Sequence, residues 1–196
     1  MIRIKGHRLS EAYAAYCLPS WEGFDVELVD ALTPETVFDD PSFKSFKWGN
    51  NFFPVEYASF TSKIKCWEEC AKDTVPHLII EHDAYCDYPD YVYMEDGLEY
   101  KMLSKHATVA IMYKPEFCQN FLEWLHKSKI LHGPFTMLSL FNTGIDLVNF
   151  KKFIPLVTPV IDLNEGTTIP EHYQQYVGHN HRPITLFGEV DDLKLF

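Results

Sequence analysis

The pattern of apolar and polar positions predicts several short strands along the chain. Apolar runs, some of them alternating with acidic residues, favour strands at "MIRIK", "FDVELVDA", "HLII", "YVYM" and "ATVAIMY". The "HLII" run is predicted to be a short, fully buried strand, which is typical of a parallel sheet covered on both faces. Asp30 is predicted at the carboxyl end of the second strand.

Helices are predicted between these strands. The segment "SFTSKIKCWEECAKD" places Phe60, Ile64 and Trp67 on one helical face, with Lys63 and Lys65 on the outer side. Further helices are predicted at "EAYAAYC", with Ser10 as a plausible cap, and at "KPEFCQNFLEWLHK". Strands that alternate with helices indicate an α/β fold, with a mostly parallel central sheet flanked by helices.

Residues 39–57 carry Pro, Gly and Asn among many aromatic rings, which predicts a long loop with a hydrophobic underside. Long loops in compact domains are often functional. Aromatic faces bind sugars and bases, so this loop is a candidate binding surface. The residues proposed for it are Trp48, Phe52, Phe53 and Tyr57.

Composition narrows the class of protein. With 196 residues and no repeat or flexible linker, the chain is predicted to form a single domain over residues 1–196. The net charge of -11 disfavours a broad grip on nucleic acid phosphates. An odd number of cysteines, 5, and the lack of a signal peptide or of a membrane-spanning apolar run favour a cytoplasmic protein.

The stretch "VPHLIIEHDAYC" suggests chemistry, because Glu81, His82 and Asp83 directly follow the buried strand. In an extended chain, side chains two positions apart point to the same side, so Glu81 and Asp83 are expected to share one cation. Two carboxylates suit Mg²⁺ or Mn²⁺, and such an ion commonly binds phosphate oxygens as well. The alternative interpretation is that these acids only solvate a turn.

Read in order, three segments resemble family 25 of the glycosyltransferases, which includes lipopolysaccharide sugar transferases. They are "IRIKGHRLSEAYAAYC", "FDVELVDALTPETV" and, as the most specific, "SFTSKIKCWEECAKDTVPHLIIEHDAYC". The resemblance, which covers about residues 2–125, implies a GT-A fold, a nucleotide-sugar donor, a divalent metal at the acidic signature and transfer to a hydroxyl. His82 replaces the middle carboxylate of the family's Glu, Asp, Asp signature.

The resemblance also directs attention to further residues. Arg8 and Ser10 are the best candidates for donor contacts, and Asp30 for a contact to the nucleoside. A late histidine often completes the metal shell in such enzymes, which makes His179 and His181 candidates. The general base is not defined: Asp146 and His132 are weak candidates for it.

Several functions remain open at this point. A glycan acceptor such as a lipopolysaccharide core is favoured by the family likeness, and a hydroxylated nucleic-acid base is disfavoured by the net charge. The altered signature leaves room for a catalytically silent relative that binds a nucleotide or a partner protein. A third possibility is a Mg²⁺-dependent phosphate hydrolase.

Overall fold

The structure, a computed structural model, describes residues 1–49, 53–104, 109–127, 156–162 and 182–186. Within these ranges the strands are β1 (Ile2–Arg3), β2 (Val29–Asp30), β3 (His77–Ile80), β4 (Ala84–Cys86), β5 (Tyr100–Met102), β6 (Ala110–Tyr113), β7 (Val157–Asp162) and β8 (Arg182–Ile184). The α-helices are α1 (Arg8–Cys17), α2 (Pro41–Lys44), α3 (Pro54–Cys70) and α4 (Pro115–Lys127). The predicted α/β class is confirmed, while the predicted single domain over residues 1–196 stays a prediction.

Most strand pairings in the described part of the chain are antiparallel, so the prediction of a mostly parallel sheet is wrong for these residues. Strand β6 lies between β3 and β5 and is antiparallel to both. Strand β4 is antiparallel to β7, whereas β1 with β2 and β7 with β8 form parallel pairs. An apolar run indicates a buried strand but carries no information about the direction of its neighbour.

The two faces of β6 explain why its residues are all buried. Ala110 and Met112 belong to a first core, which also contains residues of α1 and β4. Ile111 and Tyr113 belong to a second core formed with α3 and α4. Because successive side chains of a strand point to opposite faces, β6 supplies both cores and separates them.

Helix α3 confirms the predicted helix and its inner face. Phe60, Ile64 and Trp67 are buried in the second core. The helix begins earlier than expected, at Pro54, and the Glu56 carboxylate accepts a hydrogen bond from the Phe53 N–H at 2.8 Å. A hydrogen bond from the N–H of the N-cap residue to the side chain three residues later stabilises the start of a helix.

Two local predictions are wrong. The loop expected over residues 39–57 contains α2 and the first turn of α3, because Asp40 accepts from the Ser42 N–H and thereby caps a short helix. The strand expected at "YVYM" is absent from that segment, where a 3₁₀ turn spans Pro89–Tyr91. Proline and aspartate favour turns locally, and this preference outweighs the apolar alternation that follows.

Helix α1 continues into a 3₁₀ turn, Leu18–Trp21, that holds β4 in place. The Trp21 indole N–H donates to the Ala84 carbonyl at 2.9 Å, and the Ser20 hydroxyl accepts from the Cys86 N–H at 2.9 Å. Trp21 is 1% exposed. The start of β4, directly after Asp83, is therefore fixed by the 3₁₀ turn that follows α1. Among the helices described, none is long and apolar enough to cross a membrane.

Candidate functional site

Three chain segments leave the sheets in the same direction beside one another. Ile2 pairs with Val29 in the parallel β1–β2 pair, and it also forms a parallel bridge with Glu81, directly after β3. The segments that follow β1, β2 and β3 therefore emerge at one edge. Ligands commonly bind beyond the carboxyl ends of parallel strands, where loops from neighbouring strands meet.

The chain turns immediately after Glu81. The Glu81 N–H still donates to the Val109 carbonyl at 2.8 Å, but the Ala84 N–H donates back to the Glu81 carbonyl at 3.1 Å. His82 and Asp83 form the middle of this turn, so the prediction of an extended segment through Asp83 is wrong. The sheet pairing of β3 ends here because β4 leaves to pair with β7.

Asp83 is the most unusual residue of the turn. Its Oδ1 atom is buried and accepts no hydrogen bond within the described part of the chain. Burial, and secondarily the negative charge of Glu81, raise the pKa of the Asp83 carboxyl to about 7. A buried acceptor without a donor is costly, and two carboxylates that repel each other add to that cost. The charge of Glu81 acts on Asp83, so the two carboxylates lie near one another although the chain turns between them.

Glu81 has a cationic partner that sequence reasoning missed. The Lys63 Nζ lies 2.6 Å from Glu81 Oε1, and the Lys63 side chain is only 12% exposed. The prediction that Lys63 lies on the outer side of the helix is therefore wrong, whereas Lys65, 42% exposed, pairs with Asp40 at 3.0 Å.

His82 lies against α1 at the other side of the turn. Its ring stacks with Tyr13, with the ring centroids 6.0 Å apart, and it hydrogen-bonds to the backbone of Ile2. Burial lowers the pKa of His82 to about 4, and the nearby His7 acts in the same direction. His82 is therefore a neutral, packed side chain at pH 7, and it links the turn to the exit of β1.

The segment after β1 has an ordered network of charges. Arg3 pairs with Glu11 at 3.0 Å and with Asp30 at 3.2 Å. Lys5 pairs with Asp30 as well, at 3.2 Å. Asp30 thus lies at the predicted strand end, where its carboxylate pairs with two cations. Its contact to a nucleoside stays a prediction.

Helix α1 begins beside this network. His7 is its N-cap, since the His7 Nδ1 accepts from the Ser10 N–H at 3.2 Å, so the prediction of Ser10 as the cap is wrong. Ser10 is fully buried, and its hydroxyl accepts from the Ile4 N–H at 2.8 Å. The buried Ser10 hydroxyl therefore helps to fix the conformation of the loop between β1 and α1. Arg8 is exposed at the first position of the helix, where an anion is favoured by the helix N-terminus.

Part of the predicted aromatic surface is used for packing. Trp48 stacks on Phe43, with the ring centroids 5.0 Å apart, and its indole N–H donates to the Phe43 carbonyl. Tyr57 packs against the same rings and donates to the Gly49 carbonyl at 2.8 Å. Phe53, by contrast, is 54% exposed. Of the predicted residues described here, Phe53 is the one most open to a ligand.

Five predicted site residues lie outside the described residues. They are Phe52, His132, Asp146, His179 and His181.

In the part of the chain that the structure describes, no group of three or more His, Cys, Asp or Glu side chains is placed to hold a metal ion. The metal-binding role of Glu81 and Asp83 stays a prediction. No family model matches this chain, and no curated protein matches it either.

The pKa of His82 leads to a prediction about acid stability. Because His82 is neutral in the fold but has an ordinary pKa near 6.5 when unfolded, the unfolded state binds more protons between pH 6.5 and 4. The stability that this group contributes is present above pH 6.5 and is lost as the pH falls toward 4. We expect a loss of about 2 kcal/mol between pH 7 and 5.

This loss is measured as the difference in free energy of unfolding between the wild type and His82→Gln, by urea denaturation at both pH values. The advantage of the wild type should shrink at pH 5. Asn120→Gln, at an exposed position without a titratable group, provides the control and should leave the pH dependence of the wild type unaltered. A pH-independent difference for His82→Gln would show that its protonation is not coupled to folding.

Proposed function

We propose that this chain is a metal-dependent glycosyltransferase that moves a sugar from a nucleotide-sugar donor to a hydroxyl group. One observation carries the proposal: a buried carboxylate oxygen of Asp83 that has no donor among the described residues, held near Glu81 at the edge where the exits of three parallel segments meet. A fold gains no stability from such an arrangement. Costly polar groups that persist in this way are typical of functional sites.

The residues of the turn fit a hard divalent cation. Carboxylate oxygens are the ligands that Mg²⁺ and Mn²⁺ prefer, and the buried Asp83 Oδ1 is an acceptor that lacks a partner within the described residues. Glu81 and Asp83 would hold the ion, with His179 or His181 as a proposed further ligand. When bound, the ion supplies positive charge to the diphosphate that leaves the sugar. The chain itself must place that diphosphate next to the turn.

The segment after β1 supports a role in donor binding. Arg8 stands at the start of α1, where backbone N–H groups and the helix dipole favour phosphate. The parallel arrangement of β2, β1 and Glu81 supports a GT-A-like donor half of the domain. A glycan is the favoured acceptor, the cytoplasm is the proposed compartment, and Phe53 is a candidate acceptor contact.

A thermal shift screen of nucleoside diphosphates, with and without Mn²⁺, tests this proposal. We expect one nucleotide to raise the melting temperature only when the metal is present, since a ligand at 100 times its dissociation constant adds about 2.7 kcal/mol to stability. Hydrolysis of the matching sugar donor should then be lost in Asp83→Ala and retained in Asp90→Ala, which removes an exposed carboxylate. The proposal fails if every nucleotide leaves the melting temperature unchanged under both conditions.

One observation favours the second candidate, a catalytically silent relative that binds a nucleotide or a partner. The Lys63 ammonium already neutralises Glu81 at 2.6 Å, as a substitute for a metal ion would. In that case a nucleoside diphosphate would stabilise the wild type equally with and without Mn²⁺. Donor hydrolysis would be absent from every variant.

A further inference from the structure

Lys63 occupies an unusual place for a lysine on a helix. Its neighbours Ser62 and Ile64 are both buried, and its own side chain is 12% exposed. Lysine is rarely buried to this extent unless its charge is paired. The partner is Glu81, 2.6 Å away, which is itself one of the two proposed metal ligands. The helix that precedes β3 therefore delivers a cation to the same carboxylate that a metal ion would need.

A metal ion at Glu81 and the Lys63 contact oppose each other on grounds of charge. Lys63 and a divalent cation would compete for the same carboxylate, and bringing both cations to it would place like charges in contact. A lysine is suited to exchange, because its ammonium is a compact point charge at the end of a flexible four-carbon stem. The charge near Asp83 is also incompletely balanced, since its buried Oδ1 has no donor within the described residues.

We propose that Lys63 is the exchangeable counterion of the Glu81–Asp83 turn: its ammonium neutralises Glu81 in the metal-free protein and leaves when a divalent cation binds. The inference rests on the proposed function, because it requires that the turn bind a metal. It assigns to Lys63 control over metal affinity. A site with a tethered competitor fills only when the free metal concentration is high enough to displace the lysine.

The test measures binding of Mn²⁺ alone, from the electron paramagnetic resonance signal of the free ion, for the wild type and Lys63→Met. We expect the variant to bind Mn²⁺ about tenfold more tightly, the change that corresponds to loss of about 1.4 kcal/mol of competition. Lys65→Met is the matched control, since it removes an ion pair from the same helix at Asp40 and should bind as the wild type does. Lys63→Arg keeps the charge and should bind no more tightly than the wild type.

Each outcome decides the inference. Equal affinity of the wild type and Lys63→Met, or weaker binding by the variant, overturns the counterion role and leaves the metal-dependent function standing. Absence of Mn²⁺ binding in every variant overturns the metal site, and the inference with it. If Lys63→Met does not fold, Lys63→Gln replaces it, because glutamine is neutral and still donates a hydrogen bond. Tighter Mn²⁺ binding by Lys63→Gln than by the wild type supports the counterion role of Lys63. Unchanged Mn²⁺ binding overturns it.

Discussion

Asp83→Asn is expected to be more stable than the wild type at pH 8, by about 1 to 3 kcal/mol, and to lose metal-dependent nucleotide binding. A substitution that improves the fold while removing the activity is the behaviour of a residue kept for function. The physical reason is the negative charge of the Asp83 carboxylate, which is costly at a buried Oδ1 atom with no donor among the described residues and which repels Glu81. Asparagine has nearly the same shape and carries no charge.

The sign of the pH dependence follows from the raised pKa. An aspartate has a pKa near 3.9 in the unfolded chain, whereas that of Asp83 is about 7 in the fold. Between these values the folded state holds a proton that the unfolded state has lost, so the contribution of Asp83 to stability falls as the pH rises from about 4 to 7. The advantage of Asp83→Asn over the wild type should therefore grow through this window.

Urea denaturation at pH 5 and pH 8 measures this advantage. Asp90→Asn is the control, because Asp90 is exposed and its replacement should change the free energy of unfolding by less than about 0.5 kcal/mol. If Asp83→Asn proves less stable than the wild type at pH 8, then the Asp83 carboxylate has a stabilising partner and its placement is structural.

The second large effect concerns Trp21, which fixes the end of the turn. Trp21→Ala should lower the free energy of unfolding by about 3 to 5 kcal/mol, because a 1% exposed indole leaves a cavity in the first core. Trp21→Phe keeps most of the ring but leaves the Ala84 carbonyl without its donor, which costs about 1 to 3 kcal/mol. Chemical denaturation of both variants gives the two values.

The comparison for Trp21 is Trp124→Phe, which changes an indole that is 41% exposed on α4. That substitution should alter stability by about 0.5 kcal/mol or less. Similar values for Trp21→Phe and Trp124→Phe would mean that the hydrogen bond to Ala84 contributes nothing measurable. The start of β4 would then be held by its other contacts, among them the pairing of β4 with β7.

The elements with strong periodicity could be predicted from the sequence. The helix carrying Phe60, Ile64 and Trp67 has the expected inner face, and "HLII" forms β3. Strand direction could not be predicted, because an apolar run such as "HLII" is compatible with parallel and antiparallel neighbours alike. The helix at Pro41–Lys44 is capped by a hydrogen bond from the Ser42 N–H to Asp40. The aromatic, Pro- and Gly-containing composition of this segment favours a loop, so the helix is not predicted.

The proximity of Glu81 and Asp83 could be predicted from the sequence, but the path of the chain between them could not. Glu81 and Asp83 lie near one another, but a turn closed by the Ala84 N–H brings them there, and an extended strand does not. The role of Lys63 could not be read from helical periodicity, since a position beside Ile64 points to solvent or to a neighbouring strand depending on how the helix packs. Only the packing of α3 near the end of β3 brings Lys63 to Glu81.

The most direct test of the metal-dependent site is calorimetric titration of Mn²⁺ into the wild type and into Asp83→Asn, each with the nucleoside diphosphate selected by the thermal shift screen. We expect one manganese ion to bind the wild type and no measurable binding to the variant, with the variant fully folded. Equal manganese binding by the two proteins would contradict the assignment of Glu81 and Asp83 as the metal site.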